Sequence, residues 1–145
     1  MLKNIPPILS PDLLHTLRAM GHGDEIVLVD ANFPAEFLGP LTIRADGISA
    51  TDMLDAILTV LPLDDFVEEA AIGMAVVGDP DAVPPVFSEF RNILVRHEPT
   101  RNFSTIERFA FYDRARKAAA VVQTGESRLY GNIILKKGVI RPVSV

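Results

Sequence analysis

Short runs of aliphatic residues recur along the chain, separated by segments with helical periodicity. The run EIVLVD, residues 25–30, lacks a strict alternation of apolar and polar residues, which is typical of a strand buried on both faces, as in a parallel sheet. Comparable runs are LTIRADG, AAIGMAVV, a short piece around Thr105-Ile106, AAVVQTG and NIILKKG. Because helices alternate with these strands, the sequence predicts one compact α/β domain over residues 1–145, with a mostly parallel central sheet flanked by helices.

The predicted helices begin at capping residues. Ser10 precedes a proline at the first helical position, and Gly21 is placed to end this helix in a left-handed conformation. Ser49 or Thr51 caps a second helix, which Pro62 stops. A third helix and a fourth, FAFYDRARKA, lie further along the chain. Helical spacing selects these residues for the core: Leu13, Leu14, Leu17, Met20, Met53, Leu54, Ile57, Leu58, Leu61, Val86, Phe87, Phe90, Ile93 and Leu94.

The charge balance disfavours nucleic acid as a partner. The chain has 14 Lys and Arg against 19 Asp and Glu, a net charge of −5. Binding of nucleic acid without sequence specificity needs a basic surface, and the one basic cluster, Lys136-Lys137, is too small to supply it. Cysteine is absent, which excludes disulfides, a thiolate nucleophile and a Cys-ligated metal.

Neither a membrane span nor a secretion signal is recognisable in the sequence. No apolar run approaches the roughly 20 residues that cross a bilayer. Prolines interrupt the apolar stretch of MLKNIPPILSPDLL, and no small-residue cleavage site follows it. The expected location is the cytoplasm, with no membrane partner.

The segment MGHGDEIVLVDANFP, residues 20–34, contains two candidate functional residues. His22 lies between two glycines, which leave its imidazole accessible, and an ordinary pKa near 6.5 suits proton transfer at neutral pH. Asp30 ends an apolar strand, where a half-buried carboxylate is costly unless it is paired or used. A structural interpretation is open for both: His22 as a loop residue at a helix end, and Asp30 as a cap or turn former.

Further candidates lie in the C-terminal half. Arg108 stands among aromatic residues and needs a partner, which an intrahelical ion pair would also supply. Tyr130, Gly131 and Asn132 precede the strand IILKK, where a plain turn is the alternative. Tyr112 fits either the core or the rim of a site.

No strong catalytic or cofactor motif is present. The sequence contains no P-loop, complete GxGxxG, HExxH or GxSxG motif. The spacing of His15, His22 and His97 does not match a metal site, and His15 and His97 are expected on helix surfaces. A His, an Asp, an Arg, a Tyr and an Asn without a metal or cofactor suit a protein that hydrogen-bonds a small polyhydroxylated ligand and moves protons on it.

Several stretches together resemble the L-fucose mutarotase and D-ribose pyranase family, most closely its bacterial fucose branch. They are ILSPDLL, MGHGDEIVLVDANFPA, IRADG, RFAFYDRARKA and YGNIILKKGV, and they cover most of the chain from Met1 to Val139. The joint occurrence of MGHGDE, FYDRA and YGNIILKKG is specific, whereas any one of them alone is not.

The resemblance implies a cofactor-independent isomerase that interconverts the α and β anomers of L-fucose or a related aldose. It also implies no metal, a compact α/β fold and a homodecameric ring with the site near a subunit boundary. The family's proton-donor histidine falls on His22. Its substrate-binding residues fall on Asp30, Arg108, Tyr130, Gly131 and Asn132.

Some positions depart from the family pattern. Asn32 stands where a histidine is common, and no role is assigned to it. Residues 63–102 match poorly, and a variable segment of this kind could line the pocket or an interface, which bears on sugar preference more than on chemistry. The alternatives are isomerisation of D-ribose between pyranose and furanose forms, and a monosaccharide-binding module without activity.

Overall fold

The computed structural model describes residues 1–144 and contains a six-stranded sheet in the order β2-β5-β1-β6-β3-β4. The strands are β1 (Glu25–Val29), β2 (Thr42–Ala45), β3 (Ala71–Met74), β4 (Phe103–Ile106), β5 (Ala120–Thr124) and β6 (Ile133–Lys136). The helices are α1 (Pro11–Ala19), α2 (Ala35–Leu38), α3 (Ala50–Leu58), α4 (Pro85–His97) and α5 (Arg108–Arg116). The predicted α/β class and mostly parallel sheet are confirmed.

Only β6 runs against the other strands. It pairs antiparallel with β1 on one side and with β3 on the other, while β1, β2 and β5 are mutually parallel and β3 is parallel to β4. The residues that precede β6 therefore lie at the same edge of the sheet as the carboxyl ends of the other five strands. This edge brings together segments that are about 100 residues apart in the sequence.

Both faces of the sheet are covered by helices. In β1, Ile26 and Leu28 point to a core shared with α1, α3 and α4, whereas Val27 and Val29 point to a second core shared with α2 and α5. All four side chains are fully buried. A strand placed between two cores has no polar face, which explains why EIVLV shows no alternation.

Local signals locate the starts of α1 and α3 but not their ends. Pro62 was expected to stop the second helix, but α3 already ends at Leu58. Ser10 and Ser49 cap α1 and α3 as expected, each accepting a backbone N–H with its hydroxyl. The left-handed glycine after α1 is Gly23, at φ +87°, and not Gly21, so the predicted ending was wrong. Met20 closes α1 in an extended conformation, and the Asp24 carboxylate accepts the Gly21 N–H at 2.8 Å.

Candidate functional site

The carboxyl edge of the sheet borders an open cleft of about 210 Å³. Pockets for drug-sized molecules usually measure roughly 300–1,000 Å³, so this cleft suits a smaller ligand. Four of the predicted site residues line it: Asp30, Arg108, Tyr130 and Asn132. The topology explains why these residues lie together. Asp30 follows β1 and Arg108 follows β4, whereas Tyr130 and Asn132 precede the antiparallel strand β6.

Asp30 is a buried carboxylate with a fixed orientation. The residue is 5% exposed, and its Oδ1 accepts the Asn32 N–H at 2.9 Å. Its own N–H donates to Oδ1 of Asn132 at 2.8 Å, which ties the end of β1 to the start of β6. Burial raises the pKa of Asp30 above its ordinary value, although the Asn32 and Asn132 hydrogen bonds oppose that shift. Asp30 thus forms the turn considered from the sequence and also lines the cleft.

Tyr130 has an unusual backbone conformation that directs it to the cleft. Its φ of +64° lies in the left-handed region, which a tyrosine adopts only when the surrounding structure holds it there. The phenol oxygen accepts the Val77 N–H at 3.1 Å. Gly131 permits this turn, since a Cβ there would lie 2.7 Å from the Cγ of Glu126. Gly131 is buried behind the cleft, which Tyr130 and Asn132 line.

Arg108 contributes a positive charge at the start of α5. Its guanidinium carbon lies 4.6 Å from the centre of the Phe109 ring. Its Nε is buried and has no hydrogen-bond partner among residues 1–144. A buried donor without a partner at the edge of a cleft is a group that a ligand oxygen would satisfy.

His22 lies at the opposite edge of the sheet from these four residues. It precedes β1, whereas Asp30 follows it, and β1 alone spans about 13 Å at roughly 3.3 Å per residue. Within one chain, the Asp30 carboxylate therefore does not orient the His22 imidazole. Within a single chain, His22 and the cleft cannot contact the same small ligand.

His22 has a different acidic partner, Asp64. Its Nε2 lies 2.9 Å from Oδ1 of Asp64, and its ring centre lies 4.9 Å from that of Phe66. The His22 side chain is 41% exposed, while that of Asp64 is 4% exposed. Sequence reasoning did not select Asp64, because LPLDD gives no sign that its first acid is buried beside a histidine 42 residues away.

The comparison with known families covers nearly the whole chain. Residues 3–140 match the model of the RbsD / FucU transport protein family. The chain belongs to this family. The human protein named fucose mutarotase is 51% identical over 145 aligned residues, which cover 96% of this chain and 94% of that protein.

Solved structures of the RbsD/FucU family have the same fold. FucU from Bifidobacterium longum is 40% identical and superimposes with a TM-score of 0.91, covering 96% of this chain and 100% of that one. A fucose mutarotase from Streptococcus pneumoniae, solved in complex with L-fucose, is 45% identical with a TM-score of 0.89. That match covers 97% of this chain and 100% of the other.

In this RbsD/FucU chain, apolar side chains complete the cleft. Met74 is the last residue of β3, Val77 follows this strand, and Leu129 precedes Tyr130. All three line the cleft, and Val77 and Leu129 are more than half exposed. Tyr112, left open between core and rim, also lines it. The sequence did not identify the three aliphatic residues as site residues, because aliphatic side chains are expected in any strand and only their position at the carboxyl edge distinguishes them.

Other expectations concern residues away from the cleft. His15 is exposed, as expected, whereas His97 is only partly exposed and its Nε2 lies 2.7 Å from Oδ1 of Asp55. Within residues 1–144, no three His, Asp or Glu side chains are grouped so that they could hold a metal ion. In the same part of the chain, no helix has the length and apolar character that crossing a membrane requires.

Proposed function

We propose that this protein catalyses the interconversion of the α and β anomers of L-fucose without a cofactor. The observation that carries the proposal is the cleft, in which a carboxylate, a guanidinium, a phenol and an amide converge in a space of about 210 Å³. Such a polar set matches the several hydroxyls of one monosaccharide. The relatives named for fucose, including the one solved with L-fucose, support the choice of sugar.

The apolar part of the cleft favours a 6-deoxy sugar. L-Fucose carries a methyl group at C6, where most hexoses carry a hydroxyl. Met74 and Val77 line the cleft beside its polar groups and offer that methyl an apolar contact. A buried hydroxyl without a hydrogen-bond partner would be disfavoured there.

Mutarotation requires two proton transfers and no oxidation. The anomeric hydroxyl loses its proton while the ring oxygen gains one, so the C1–O5 bond breaks and a C1 carbonyl forms. Rotation about C1–C2 and reclosure on the other face of the carbonyl give the second anomer. Positioned acids and bases typically accelerate such steps by about 10²- to 10⁴-fold.

Each cleft residue has a role in this scheme. Asp30 accepts hydrogen bonds from sugar hydroxyls. Arg108 donates to sugar oxygens and stabilises negative charge that develops on them. Asn132 and the backbone at Gly131 hold the ring, and Tyr130 either holds it or relays the second proton. His22 is the proton donor.

His22 reaches the sugar only if a second copy of the chain supplies it. The cleft and His22 lie at opposite edges of one sheet, so the site would combine the cleft of one subunit with His22 of the partner subunit. Both surfaces expose apolar side chains that such contact would cover: Val77 and Leu129 beside the cleft, and Phe66 beside His22. A decameric ring, which the family resemblance implies, and a cytoplasmic location, which the sequence predicts, remain part of the proposal.

We predict that the protein accelerates anomer exchange of L-fucose more strongly than that of D-ribose. Saturation-transfer NMR measures this directly, by irradiating one anomeric proton and following the other with and without protein. Faster exchange for ribose alone would show that ribose, and not fucose, is the substrate. Fucose binding without faster exchange would instead indicate a module that only binds the sugar.

Removing the hydroxyl of Tyr130 is expected to slow the exchange of fucose anomers rather than prevent the binding of fucose. The Val77 N–H already donates to the phenol oxygen, so the phenol proton is free to be given to a sugar oxygen. Tyr130→Phe should lower the rate at saturating fucose about 100-fold, with a smaller change in the half-saturating concentration. A raised half-saturating concentration at an unchanged maximal rate would make Tyr130 only a binder.

A further inference from the structure

We infer that Val77 is a specificity-determining residue: its side chain separates the cleft from a second cavity and sets the largest group that the sugar may carry at C5. The inference rests on the proposed exchange of fucose anomers in the cleft. The cleft has a volume of about 210 Å³, and the second cavity has a volume of about 360 Å³. Val77 and Arg108 line both and therefore lie between them. Because Arg108 is proposed to bind the sugar through its charge, Val77 is the apolar part of this boundary.

A tight turn after β3 holds Val77 at the boundary. The Asp79 N–H donates to the Val76 carbonyl at 3.1 Å, which closes a turn of four residues. Gly78 is the third residue of the turn, and its φ of +80° is the left-handed conformation that a type II turn requires at that position. Val77 is the second residue, and its N–H takes no part in the hydrogen bond that closes the turn.

The Val77 N–H instead connects the turn to the cleft. It donates to the phenol oxygen of Tyr130 at 3.1 Å. A second backbone contact, from the Ala75 N–H to the Ile106 carbonyl at 2.8 Å, attaches the start of the segment to the end of β4. Every amino acid except proline can donate a backbone N–H. The side chain of Val77 can therefore be exchanged while the contact with Tyr130 is kept.

Three aldoses test the boundary because they share one ring. As pyranoses, D-arabinose, L-fucose and L-galactose have the same configuration at C2, C3 and C4, and at C5 they carry hydrogen, methyl and hydroxymethyl respectively. The polar residues of the cleft therefore contact the same hydroxyls in all three sugars. The sugars differ only in the group that Met74 and Val77, the apolar side of the cleft, contact in the proposed complex.

The wild type should exchange the anomers of L-fucose more efficiently than those of the other two sugars. One carbon that an apolar pocket covers is worth about 10-fold or more, so D-arabinose should be about 10-fold slower. L-Galactose places a hydroxyl against Met74 and Val77, where the hydroxyl loses water without gaining a partner. Apolar pockets reject an additional hydroxyl by up to about 100-fold, so L-galactose should be about 10- to 100-fold slower.

The second cavity offers polar partners that the apolar side of the cleft lacks. Thr105 and Glu107 line it together with aliphatic residues. The Oε2 of Glu107 caps α5 by accepting the N–H groups of Phe109 and Ala110, at 2.9 and 3.1 Å. A carboxylate has a second acceptor oxygen, so Oε1 is able to accept a sugar hydroxyl. A hydroxymethyl group that extends past a shortened side chain at the boundary is therefore accommodated here.

Val77→Ala is the variant that tests the inference. It removes both methyl groups of the side chain and opens the cleft to the second cavity. Saturation-transfer NMR, with each sugar below its half-saturating concentration, compares the efficiencies of exchange. We expect L-fucose to be about 5- to 10-fold slower and L-galactose to be about 10-fold faster than with the wild type. D-Arabinose should be unchanged, because it has no carbon at C5 that contacts Val77.

Two further variants separate the boundary from a general effect on the turn. Val76→Ala shortens the neighbouring residue, which lines the second cavity but not the cleft, and it should leave all three rates at their wild-type values. Val77→Ile keeps a β-branched apolar side chain at the boundary and should keep the wild-type preference for L-fucose.

Three results would overturn the inference: an equal loss for all three sugars in Val77→Ala, no change for any of them, or wild-type exchange of L-galactose as efficient as that of L-fucose. The last comparison needs no variant, so poor folding of Val77→Ala does not prevent the test. A wild type that accelerates no exchange of L-fucose refutes the proposed function itself. An active wild type whose sugar preference is the same in Val77→Ala refutes only the role of Val77.

Discussion

Mixing two impaired variants, His22→Ala and Arg108→Ala, is expected to restore about a quarter of the wild-type rate of fucose exchange. His22→Ala should lose about 100-fold or more, because it removes the proposed proton donor. Arg108→Ala should lose about 10- to 100-fold, because charged hydrogen bonds to the sugar disappear. When the site combines two subunits, half of the subunits have an intact cleft, and an intact His22 faces half of those clefts.

The mixture must be formed from exchanging subunits, either by co-expression or by joint refolding. Light scattering should find an assembly larger than a monomer at micromolar concentration. The control is the double variant His22→Ala with Arg108→Ala, refolded in the same way, which contains no intact site in any arrangement. Mixed assemblies without recovered activity would contradict a shared site, as would a monomer with full activity.

The separation of His22 from Asp30 could be predicted from the sequence, because the two residues lie at opposite ends of the same predicted strand. A residue that follows a strand of a parallel sheet lies at its carboxyl edge, and a residue that precedes the same strand lies at the other edge. Applied to EIVLV, the rule places Asp30 at the ligand edge and His22 away from it. The resemblance to the family assigned roles to both residues, but it does not say which chain supplies each.

The direction of β6 was not predictable from its residues. IILK is apolar whichever way it runs, and it is buried between β1 and β3 in either orientation. The orientation nevertheless determines the site, because only an antiparallel β6 begins at the carboxyl edge of its neighbours. Were it parallel, Tyr130 and Asn132 would lie near His22 and not near Asp30.

Features that depend on packing between distant segments were also not predictable from the sequence. Helix α2 has four residues, too few for a helical period, so periodicity does not predict it. Gly23, and not Gly21, has the positive φ. Asp64 looks like an ordinary loop acid in the sequence, and its burial depends on contacts with β6 and Arg101. Caps and core positions were predicted because they depend on neighbours within a few residues.

Asp30→Asn is expected to make the protein more stable while it weakens catalysis. Burial raises the pKa of Asp30 in the folded protein, so the folded state holds this carboxylate at a cost whenever it is ionised. Asparagine has nearly the same shape, carries no charge, and its Oδ1 can still accept the Asn32 N–H. We expect a gain of about 1 kcal/mol in the free energy of unfolding at neutral pH. For a chain of this length, the melting temperature should rise by about 3 °C.

The dependence on pH distinguishes this explanation from a general improvement in packing. For an acid whose folded pKa is raised, the cost is present above the folded pKa and disappears as the pH falls below the ordinary value for aspartate. The difference between variant and wild type should therefore be largest near neutral pH and vanish in acid, as measured by urea unfolding across that range. Asp12→Asn, an exposed acid in the first turn of α1, is the control and should show no such gain.

Fucose exchange by Asp30→Asn should meanwhile fall about 10- to 100-fold, because an amide accepts hydrogen bonds from sugar hydroxyls less strongly than a carboxylate. A buried acid that lowers stability is retained when it binds the ligand, because residues at a binding site often improve activity at the expense of stability. A variant that gains stability and keeps full activity would show that Asp30 is dispensable for the sugar. A variant that loses stability at neutral pH would show that its hydrogen bonds outweigh the cost of burying its charge.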